Sequence, residues 1–329
     1  MKIAVDAFGG DNAPLEIIKG ARMAADEYGV TPVLVGDEET IKKCAEDNGI
    51  SLAGMEIKHA PDVITMHDEP TSILRAKKDC SMAVAFRTLA EKEADAFVSA
   101  GSTGAVVVGG TLIVKRIKGI KRVALASMIP GLKQPFLMLD IGANADTRPE
   151  MLAQYGVMAS VYLKSVEGRE NPEIGLLNIG TEDTKGDELR LAAYDMLKNA
   201  PINFIGNIES REIMKGECDA VITDGFTGNI ALKLIEGVTS SFFKLLKGAF
   251  YKNLKTKLAA LSLKSSLYDI KKKADYEEVG GAPLLGCSAP VIKAHGSSHA
   301  LAIKNAIHQA ILYTEKDVIG QISEGIAQI

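Results

Sequence analysis

Short apolar runs alternate with longer segments along most of the chain, and this pattern predicts the secondary structure. The runs predict buried strands at Ile3–Val5, Val33–Val35, Ala96–Ser99, Ala124–Met128, Phe136–Asp140, Ile174–Asn178, Asn203–Ile205, Ala220–Thr223 and Val291–Ala294. The longer segments predict helices at Pro14–Tyr28, Glu38–Asn48, Ser72–Glu93, Gly104–Ile117, Arg148–Glu167, Asp187–Asn199, Asn207–Lys215 and Ala300–Lys316. This alternation is typical of an α/β fold with a mostly parallel sheet and helices on both faces. No Pro/Gly/Ser-rich linker divides the chain, so residues 1–329 are predicted to form one catalytic α/β unit.

Five of the predicted strands are followed by polar turns that carry glycine. These turns are Asp6–Asn12, Ala100–Gly104, Ile141–Asp146, Ile179–Gly186 and Asp224–Asn229. Glycine allows close approach, and the N–H groups and dipole at a helix N-terminus suit an anion. Ligands of an open parallel sheet bind beyond the carboxyl ends of its strands. The turns therefore predict a small-molecule anion site at that edge, although each turn alone is more simply an ordinary connection.

Composition and charge limit the classes of protein that this chain could represent. With 38 Lys and Arg against 42 Asp and Glu, the net charge is −4, so no nucleic-acid partner is expected. The four cysteines form no C-x-x-C pair, as is typical of free thiols in a reducing cytosol. Asp6 interrupts the N-terminal apolar run, and no uncharged apolar run reaches the roughly 18 residues of a spanning helix. A cytoplasmic protein, or one attached to a membrane surface, is expected.

Several common site motifs are missing. The sequence contains no G-x-G-x-x-G, P-loop, G-x-S-x-G or H-E-x-x-H motif, and no cofactor is expected. His295 and His299 flank a Gly-Ser-Ser turn, where a capping and packing role is favoured over metal binding. Carboxylates at strand ends would hold Mg²⁺ if they converged, but helix capping is the favoured role, and no metal is expected: Asp6, Asp140, Asp146, Asp183 and Asp224.

Residues 237–276 are predicted to form an embedded, basic, amphipathic helical excursion. Its first part, Gly237–Tyr268, contains six lysines and no acidic residue. Apolar residues spaced by three or four mark one helical face, and the predicted contact residues are Phe243, Leu246, Phe250, Leu254, Lys255, Lys257, Leu258 and Leu261. This face suits an anionic membrane surface, an acidic protein partner, or packing on its own domain or in a dimer interface.

Six motifs, taken together and in order, resemble the bacterial acyl-acyl-carrier-protein:phosphate acyltransferases, the phosphate acyltransferase PlsX family. They are DAFGGDNAP, EADAFVSAGSTGA, DIGANAD, GLLNIGTEDTKG, VITDGFTGN and APVIKAHGSS, and they span almost the whole chain. Two residues depart from the family pattern. Phe8 stands where the family usually has Met, and Ser102 stands where it usually has Asn, a change that keeps a hydrogen-bonding side chain but loses the amide.

The resemblance implies a fold like that of phosphate acetyltransferases and isopropylmalate-type dehydrogenases, in a homodimer. It implies transfer of a fatty acyl group from acyl-carrier protein to inorganic phosphate, giving acyl phosphate for phospholipid synthesis. It also implies peripheral membrane association, either directly or through a membrane glycerol-3-phosphate acyltransferase that receives the product. Phosphate is a nucleophile near neutral pH, so the site has mainly to desolvate and align it and to stabilise the developing oxyanion.

The motifs and turns together nominate the site residues. His295, Lys185 and Asn229 are the candidate catalytic residues, with His295 near the thioester, and Lys293 is a further candidate cation. A purely structural role for His295 is the competing interpretation. The predicted phosphate-binding residues are Asp6, Gly9, Gly10, Gly101, Ser102, Thr103, Gly104, Asn144, Gly180, Thr181, Gly225, Thr227 and Gly228.

Two other functions remain open from the sequence. A metal- and NAD-dependent dehydrogenase on a related fold would need converging carboxylates and an arginine cluster, and the arginines here are scattered. A non-catalytic lipid-surface scaffold would be based on the basic stretch alone, and it would leave the five glycine turns without a purpose.

Overall fold

Eleven strands of the computed structural model, which describes residues 1–264 and 280–329, form one sheet. The strands are β1 (Lys2–Asp6), β2 (Thr31–Gly36), β3 (Glu56–His59), β4 (Ala96–Ser99), β5 (Ala124–Ile129), β6 (Phe136–Leu139), β7 (Glu173–Asn178), β8 (Asn203–Glu209), β9 (Ala220–Ile222), β10 (Ala282–Leu285) and β11 (Val291–Lys293). Their order across the sheet is β3-β2-β1-β4-β11-β10-β5-β6-β9-β7-β8.

Helices connect most of these strands. They are α1 (Leu15–Tyr28), α2 (Glu38–Asp47), α3 (Ser81–Ala90), α4 (Thr103–Gly109), α5 (Pro149–Ser165), α6 (Glu188–Asn199), α7 (Gly225–Phe250), α8 (Leu254–Ser262), α9 (Ala300–Glu315) and α10 (Val318–Ile326). A π-helical turn, Gly110–Val114, continues α4, and short 3-10 helices lie at Pro70–Leu74 and Ile213–Lys215. In the described part of the chain, no helix has the length and apolar composition that a membrane crossing requires.

The sheet consists of two parallel halves that run in opposite directions. Strands β3, β2, β1, β4 and β11 are parallel, and so are β6, β9, β7 and β8. Between the halves, β10 is antiparallel to β11 and β5, and β5 is antiparallel to β6. The predicted α/β fold with a mostly parallel sheet is therefore confirmed. The expectation that all five glycine turns share one edge is wrong, because the reversal puts the carboxyl ends of the two halves at different edges.

Three apolar clusters pack the helices onto the sheet. On one face, α1 and α9 cover the first half of the sheet, where Ile18 and Ile307 are fully buried. On the second half, α5 packs against β6, β7 and β9, and α10 packs on α5, with Tyr155 and Ile322 fully buried. The third cluster includes Phe86 of α3 and Val106 of α4 and extends to residues of both halves. Helices on both faces leave the strand ends as the place for polar chemistry.

Several predicted element boundaries are wrong, because tertiary pairing overrides local pattern. The helix predicted at Asn207–Lys215 begins as strand, since β8 pairs with β7 as far as Glu209, and only Ile213–Lys215 are helical, in a short 3-10 turn. The helix predicted from Ser72 begins only at Ser81. Strands β3 and β10 and helix α10 have no counterpart among the predicted elements.

The basic excursion differs from its predicted form. Helix α7 begins at Gly225, so the stretch from Gly237 onwards continues a helix of 26 residues, and α8 follows it. The predicted residues 265–276 lie outside the described residues.

Candidate active site

A buried aspartate organises the strand ends of the first half of the sheet. The Asp6 carboxylate, 1% exposed, accepts hydrogen bonds from Oγ of Ser81 (2.6 Å) and Oγ of Ser99 (2.7 Å). Ser99 Oγ in turn accepts the backbone N–H of Gly101 (2.9 Å). Burial raises the pKa of Asp6, although the serine hydroxyls oppose this shift. We call this group, with the turns that follow β1, β4 and β11, the Asp6 cluster.

Glycines allow the turns of the Asp6 cluster to approach one another closely. A Cβ atom on Gly9 would lie 2.6 Å from Oδ2 of Asp6 and 2.7 Å from the backbone nitrogen of Gly101. Gly10 has φ +99°, a conformation that other residues rarely adopt. These two predicted phosphate-binding glycines therefore hold the turn after β1 against the turn after β4.

A buried lysine lies between the turns after β4 and β11. Lys293 is 7% exposed, and its Nζ donates to the carbonyl oxygens of Ala100 (3.5 Å) and Ala294. Burial lowers its pKa to about 8, while the charges of Asp11 and Asp6 act in the opposite direction. The amine is therefore mainly charged at neutral pH, next to the start of the Ala100–Gly104 turn.

The start of α4 carries no side-chain cap. Ser102 occupies the N-cap position, but its side chain accepts no hydrogen bond from the first turn. Thr103 and Gly104 are half-buried in this turn. The first N–H groups of a helix have no partner within the helix, so this terminus retains donors that suit an anion.

His295 belongs to the same cluster, in the turn after β11. Its exposed ring has Nδ1 2.8 Å from Oγ of Ser297, and Nδ1 accepts the backbone N–H of Ser297 (3.3 Å). The N–H of Asp11 donates to the carbonyl of Gly296 (2.8 Å), which joins this turn to the turn after β1. The structure thus brings the His295 turn to the Asp6 cluster.

A second buried aspartate organises the strand ends of the other half. The fully buried Asp140 carboxylate accepts the backbone N–H groups of Gly142 (3.0 Å), Ala143 (2.8 Å) and Asn144 (2.9 Å). Burial raises the pKa of Asp140, although these hydrogen bonds act to lower it. The amide nitrogen of Asn144 donates to the carbonyl of Val123 (2.7 Å) and the hydroxyl of Tyr155 (3.1 Å). We call this group, with the start of α7, the Asp140 cluster.

The start of α7, unlike that of α4, is capped by a carboxylate. Asp224 accepts the N–H of Thr227 (2.9 Å) and forms an ion pair with Arg190, which also donates to Oγ1 of Thr227 (3.2 Å). Burial opposes ionisation of Asp224, but the Thr227 and Arg190 bonds outweigh it and lower the pKa. Asp224 already accepts the Thr227 N–H, and its negative charge at this terminus disfavours phosphate there.

Gly225 and Gly228 have a packing role at the same place. A Cβ on Gly225 would lie 2.7 Å from Oδ2 of Asp140, and one on Gly228 would overlap the Asp140 carbonyl oxygen. Asn229 follows these glycines and lies against Gly142: a Cβ added to Gly142 would be 3.5 Å from Oδ1 of Asn229. Asn229 is half-buried, so this candidate catalytic residue lies in the Asp140 cluster.

Lys185 lies in the exposed turn after β7, on the Asp140 side of the molecule. Its aliphatic chain packs on Gly180, where a Cβ would meet its Cγ at 3.0 Å, and its carbonyl accepts the amide of Asn178 (3.0 Å). Thr181 is exposed in the same turn. The predicted site residues therefore form two groups: Gly9, Gly10, Ser102, Thr103 and His295 lie in one, and Lys185 and Asn229 in the other.

Sequence reasoning missed several residues of both clusters. Ser99 could have been identified from the sequence because it ends a predicted strand. Ser81 lies at the start of α3, and no motif around it indicates a role in the site. Arg190 and Tyr155 likewise come from helices, α6 and α5, whose contacts with the turns only the fold creates. Among the described residues, no group of three or more His, Cys, Asp or Glu is placed to hold a metal ion.

The predicted membrane or carrier contact residues divide into two sets. Phe243, Leu246 and Phe250 on α7 are half-buried, whereas Leu254, Leu258 and Leu261 on α8 are 79%, 67% and 66% exposed, beside exposed Lys255 and Lys257. A further stripe on α7 escaped the sequence analysis. Its six exposed apolar residues are spaced by three or four: Phe226, Ile230, Leu234, Val238, Phe242 and Leu245.

Two solved structures share this fold. A phosphotransacetylase from Streptococcus pyogenes superposes with a TM-score of 0.66 at 16% identity, covering 97% of this chain and 94% of that one. A 4-hydroxythreonine-4-phosphate dehydrogenase from Klebsiella pneumoniae gives a TM-score of 0.54 at 14% identity, covering 94% and 99%. At such identities the likeness concerns the fold alone, and it agrees with the fold that the resemblance implied.

Sequence comparison is more specific. The model of the family described as "Fatty acid synthesis protein" matches residues 1–321. A phosphate acyltransferase of Oceanobacillus iheyensis is 47% identical over 330 residues, covering 100% of this chain and 98% of the relative. One of Lysinibacillus sphaericus is 48% identical over 331 residues, covering 100% and 99%. The chain therefore belongs to the PlsX family of fatty acid synthesis proteins, as its motifs predict.

Proposed function

We propose that the protein transfers a fatty acyl group from acyl-carrier protein to inorganic phosphate, giving acyl phosphate for phospholipid synthesis. The observation that carries the proposal is the uncapped start of α4 beside the buried Lys293, which combines N–H donors with a desolvated cation. Full-length relatives that are 47–48% identical carry the name phosphate acyltransferase, which agrees with an anion as acyl acceptor.

The chemistry needs no covalent enzyme intermediate. A phosphate oxygen attacks the thioester carbonyl carbon, the C–S bond breaks, and the carrier leaves as a thiolate, whose conjugate acid has a pKa of about 8.5 if it behaves like a cysteine thiol. The N–H groups of Thr103 and Gly104, with Lys293, would bind phosphate and neutralise its charge. His295 would hydrogen-bond the thioester or donate to the leaving sulfur.

The Asp140 cluster is assigned to the thioester donor. The strands that carry the two clusters, β4 and β6, are four strand spacings apart, or about 19 Å. The carboxyl ends of β4 and β6 would point in opposite directions in a flat sheet. Because adjacent strands are rotated by about 20–25°, the twist over four steps is about 80–100°, and the two ends then point at about a right angle to each other. A long acyl thioester spans such a separation more readily than a single phosphate does. Lys185 and Asn229 are therefore proposed to contact the donor.

The assay for this function measures acyl phosphate directly. Purified protein is incubated with acyl-carrier-protein thioester, with and without phosphate, and the product is trapped with hydroxylamine as hydroxamate. We expect phosphate-dependent hydroxamate, a large loss in Lys293→Met, and a normal rate in Lys43→Gln, a surface control on α2. Absence of phosphate-dependent hydroxamate from the wild type would contradict the proposed reaction.

We also propose a cytoplasmic homodimer that touches the membrane surface through α8. Exposed leucines beside lysines suit the boundary between anionic headgroups and acyl chains. We expect the wild type to float with anionic liposomes, and Leu254→Glu combined with Leu258→Glu to remain in the dense fraction. Leu132→Glu, at a leucine that is 86% exposed elsewhere, is the matched control. Equal flotation of all three would contradict contact through α8, whereas failure of the wild type to float would favour contact through a membrane glycerol-3-phosphate acyltransferase.

A further inference from the structure

Residues 115–122, which we call the basic loop, form an exposed segment of unusual charge. None of its eight residues is acidic, and five have basic, exposed side chains: Lys115, Arg116, Lys118, Lys121 and Arg122. Its two large apolar residues, Ile117 and Ile120, point inward and are only 6% and 5% exposed. Within residues 1–264 and 280–329, none of the five basic side chains forms an ion pair. In a protein of net charge −4, this is a local positive surface.

The basic loop is held in place by hydrogen bonds from three sides. The buried amide of Gln154 on α5 accepts the N–H of Lys121 (2.9 Å) and donates to the carbonyl of Gly119 (3.0 Å). The N–H of Ile117 donates to the carbonyl of Gly286 (2.9 Å) at the end of β10, and Lys115 accepts the N–H of Ser288 (2.9 Å). The charges are therefore presented on a fixed backbone, which reduces the entropy cost of binding a partner.

The basic loop lies beside the Asp140 cluster. It runs directly into Val123, whose carbonyl accepts the Asn144 amide, and Asn144 also contacts Asp140 and Tyr155. Gln154, whose side chain holds the basic loop through two hydrogen bonds, directly precedes Tyr155 on α5. The positive surface thus flanks the cluster to which the thioester donor is assigned.

We propose that the basic loop is the docking surface for an acidic protein, the carrier that delivers the acyl thioester; this inference rests on the proposed function. The exposed chemistry of the loop distinguishes it from α8. Helix α8 exposes leucines between its lysines, as a lipid surface requires, whereas the loop exposes charge and buries its isoleucines. Positive charge on a rigid loop steers and orients an acidic soluble partner.

Direct binding and steady-state kinetics test the proposal. The variant Lys115→Gln, Lys118→Gln, Lys121→Gln is compared with wild type for binding of fluorescently labelled acyl-carrier protein, measured by anisotropy at low salt. We expect Kd and the KM for the carrier thioester to rise about tenfold, and the difference to shrink as salt is added. We expect kcat, and the rate with a neutral acyl N-acetylcysteamine thioester, to remain unchanged. A triple control, Lys43→Gln, Lys92→Gln, Lys316→Gln, should bind the carrier like wild type.

The possible failures are distinguishable. Wild-type protein that binds the carrier but makes no phosphate-dependent hydroxamate would contradict the proposed reaction without affecting the docking surface. Equal Kd and KM in wild type and loop variant would overturn the docking proposal while leaving the reaction intact. Loss of anionic-vesicle binding in the loop variant, with an unchanged carrier Kd, would also overturn it and would assign the loop to a lipid surface.

Discussion

At the scale of single residues, Asp6 has a role different from the one that its position in the sequence predicts. Its position predicts a phosphate ligand, but its buried carboxylate oxygens accept two serine hydroxyls and are used within the protein. Through Ser99 it orients the N–H of Gly101, so we interpret Asp6 as a positioning residue for the turn before α4. Asn144 changes role in the same way, because its amide is used within the protein.

Ser99 and Ser81 provide a matched pair for this interpretation. Each donates to Asp6, but only Ser99 also accepts the N–H of Gly101. Ser99→Ala and Ser81→Ala should each cost about 1–3 kcal/mol of unfolding free energy in urea, since a buried carboxylate loses a partner. Only Ser99→Ala should also raise the KM for phosphate. A similar KM in both variants would refute the positioning role of Ser99.

Lys293 predicts a distinctive pH dependence. Burial lowers its pKa to about 8, so the amine is charged below that pH and neutral above it. If the charged form binds phosphate, kcat/KM for phosphate should fall up to tenfold per pH unit above pH 8. The Lys293→Met enzyme should have a low kcat/KM without this decline. A profile shared by wild type and variant would show that another group titrates.

At the scale of elements, the first turn of α7 is tightly packed, whereas positions farther along the helix are not. Its first turn packs on the Asp140 loop through Gly225 and Gly228, the two residues of the helix that are fully enclosed. Farther along, a Cβ added to Gly237 or Gly248 would meet no atom of residues 1–264 or 280–329 within 4 Å, so neither position is crowded by that part of the chain. Helix propensity alone predicts that alanine stabilises every one of these positions.

Gly228→Ala and Gly248→Ala should therefore change stability in opposite directions. A Cβ at position 228 would collide with the Asp140 carbonyl oxygen, and we expect a loss of about 1–3 kcal/mol because the backbone must move. At position 248 the helical backbone is unobstructed, and alanine should gain about 0.5–1 kcal/mol. Urea denaturation measures both changes, and stabilisation by Gly228→Ala would contradict the close packing of α7 on Asp140.

At the scale of the whole molecule, α7 carries more apolar surface than the described residues of its own chain cover. The stripe from Phe226 to Leu245 spans 20 residues, about 29 Å of helix, with all six side chains more than half exposed. Isolated exposed apolar residues are common, but a continuous stripe of this length is typical of an interface. We propose that a second copy of the chain covers it, since an isologous contact pairs the stripe with itself.

Disruption of the stripe should therefore change the oligomeric state. Leu234→Asp combined with Val238→Asp is expected to convert a dimer to a monomer in sedimentation velocity, because two charges would be buried in an apolar contact. Met66→Asp, at a methionine that is 73% exposed outside α7, should leave the dimer intact. A dimer that persists in the α7 variant would place the interface elsewhere.

The sequence by itself determined the features that depend on local order. Buried strands, glycine turns and helix starts depend on the types of a few consecutive residues. Most strands, the two aspartate-bearing turns and the family motifs could therefore be identified without coordinates. Gly9, Ser102 and His295 lie in one cluster because they follow strands that are parallel neighbours, so their turns leave the sheet at the same edge.

Only the tertiary structure decided which turns meet. The reversal between the two halves depends on β10 and β5, strands far apart in the chain, and it separates Lys185 and Asn229 from the Asp6 cluster. Ser81 and Arg190 lie on helices and contact the clusters through their side chains, so no local sequence pattern predicts that they belong to the site. Strand direction and helix packing arise from contacts between distant segments, whose free energy a one-dimensional pattern does not contain.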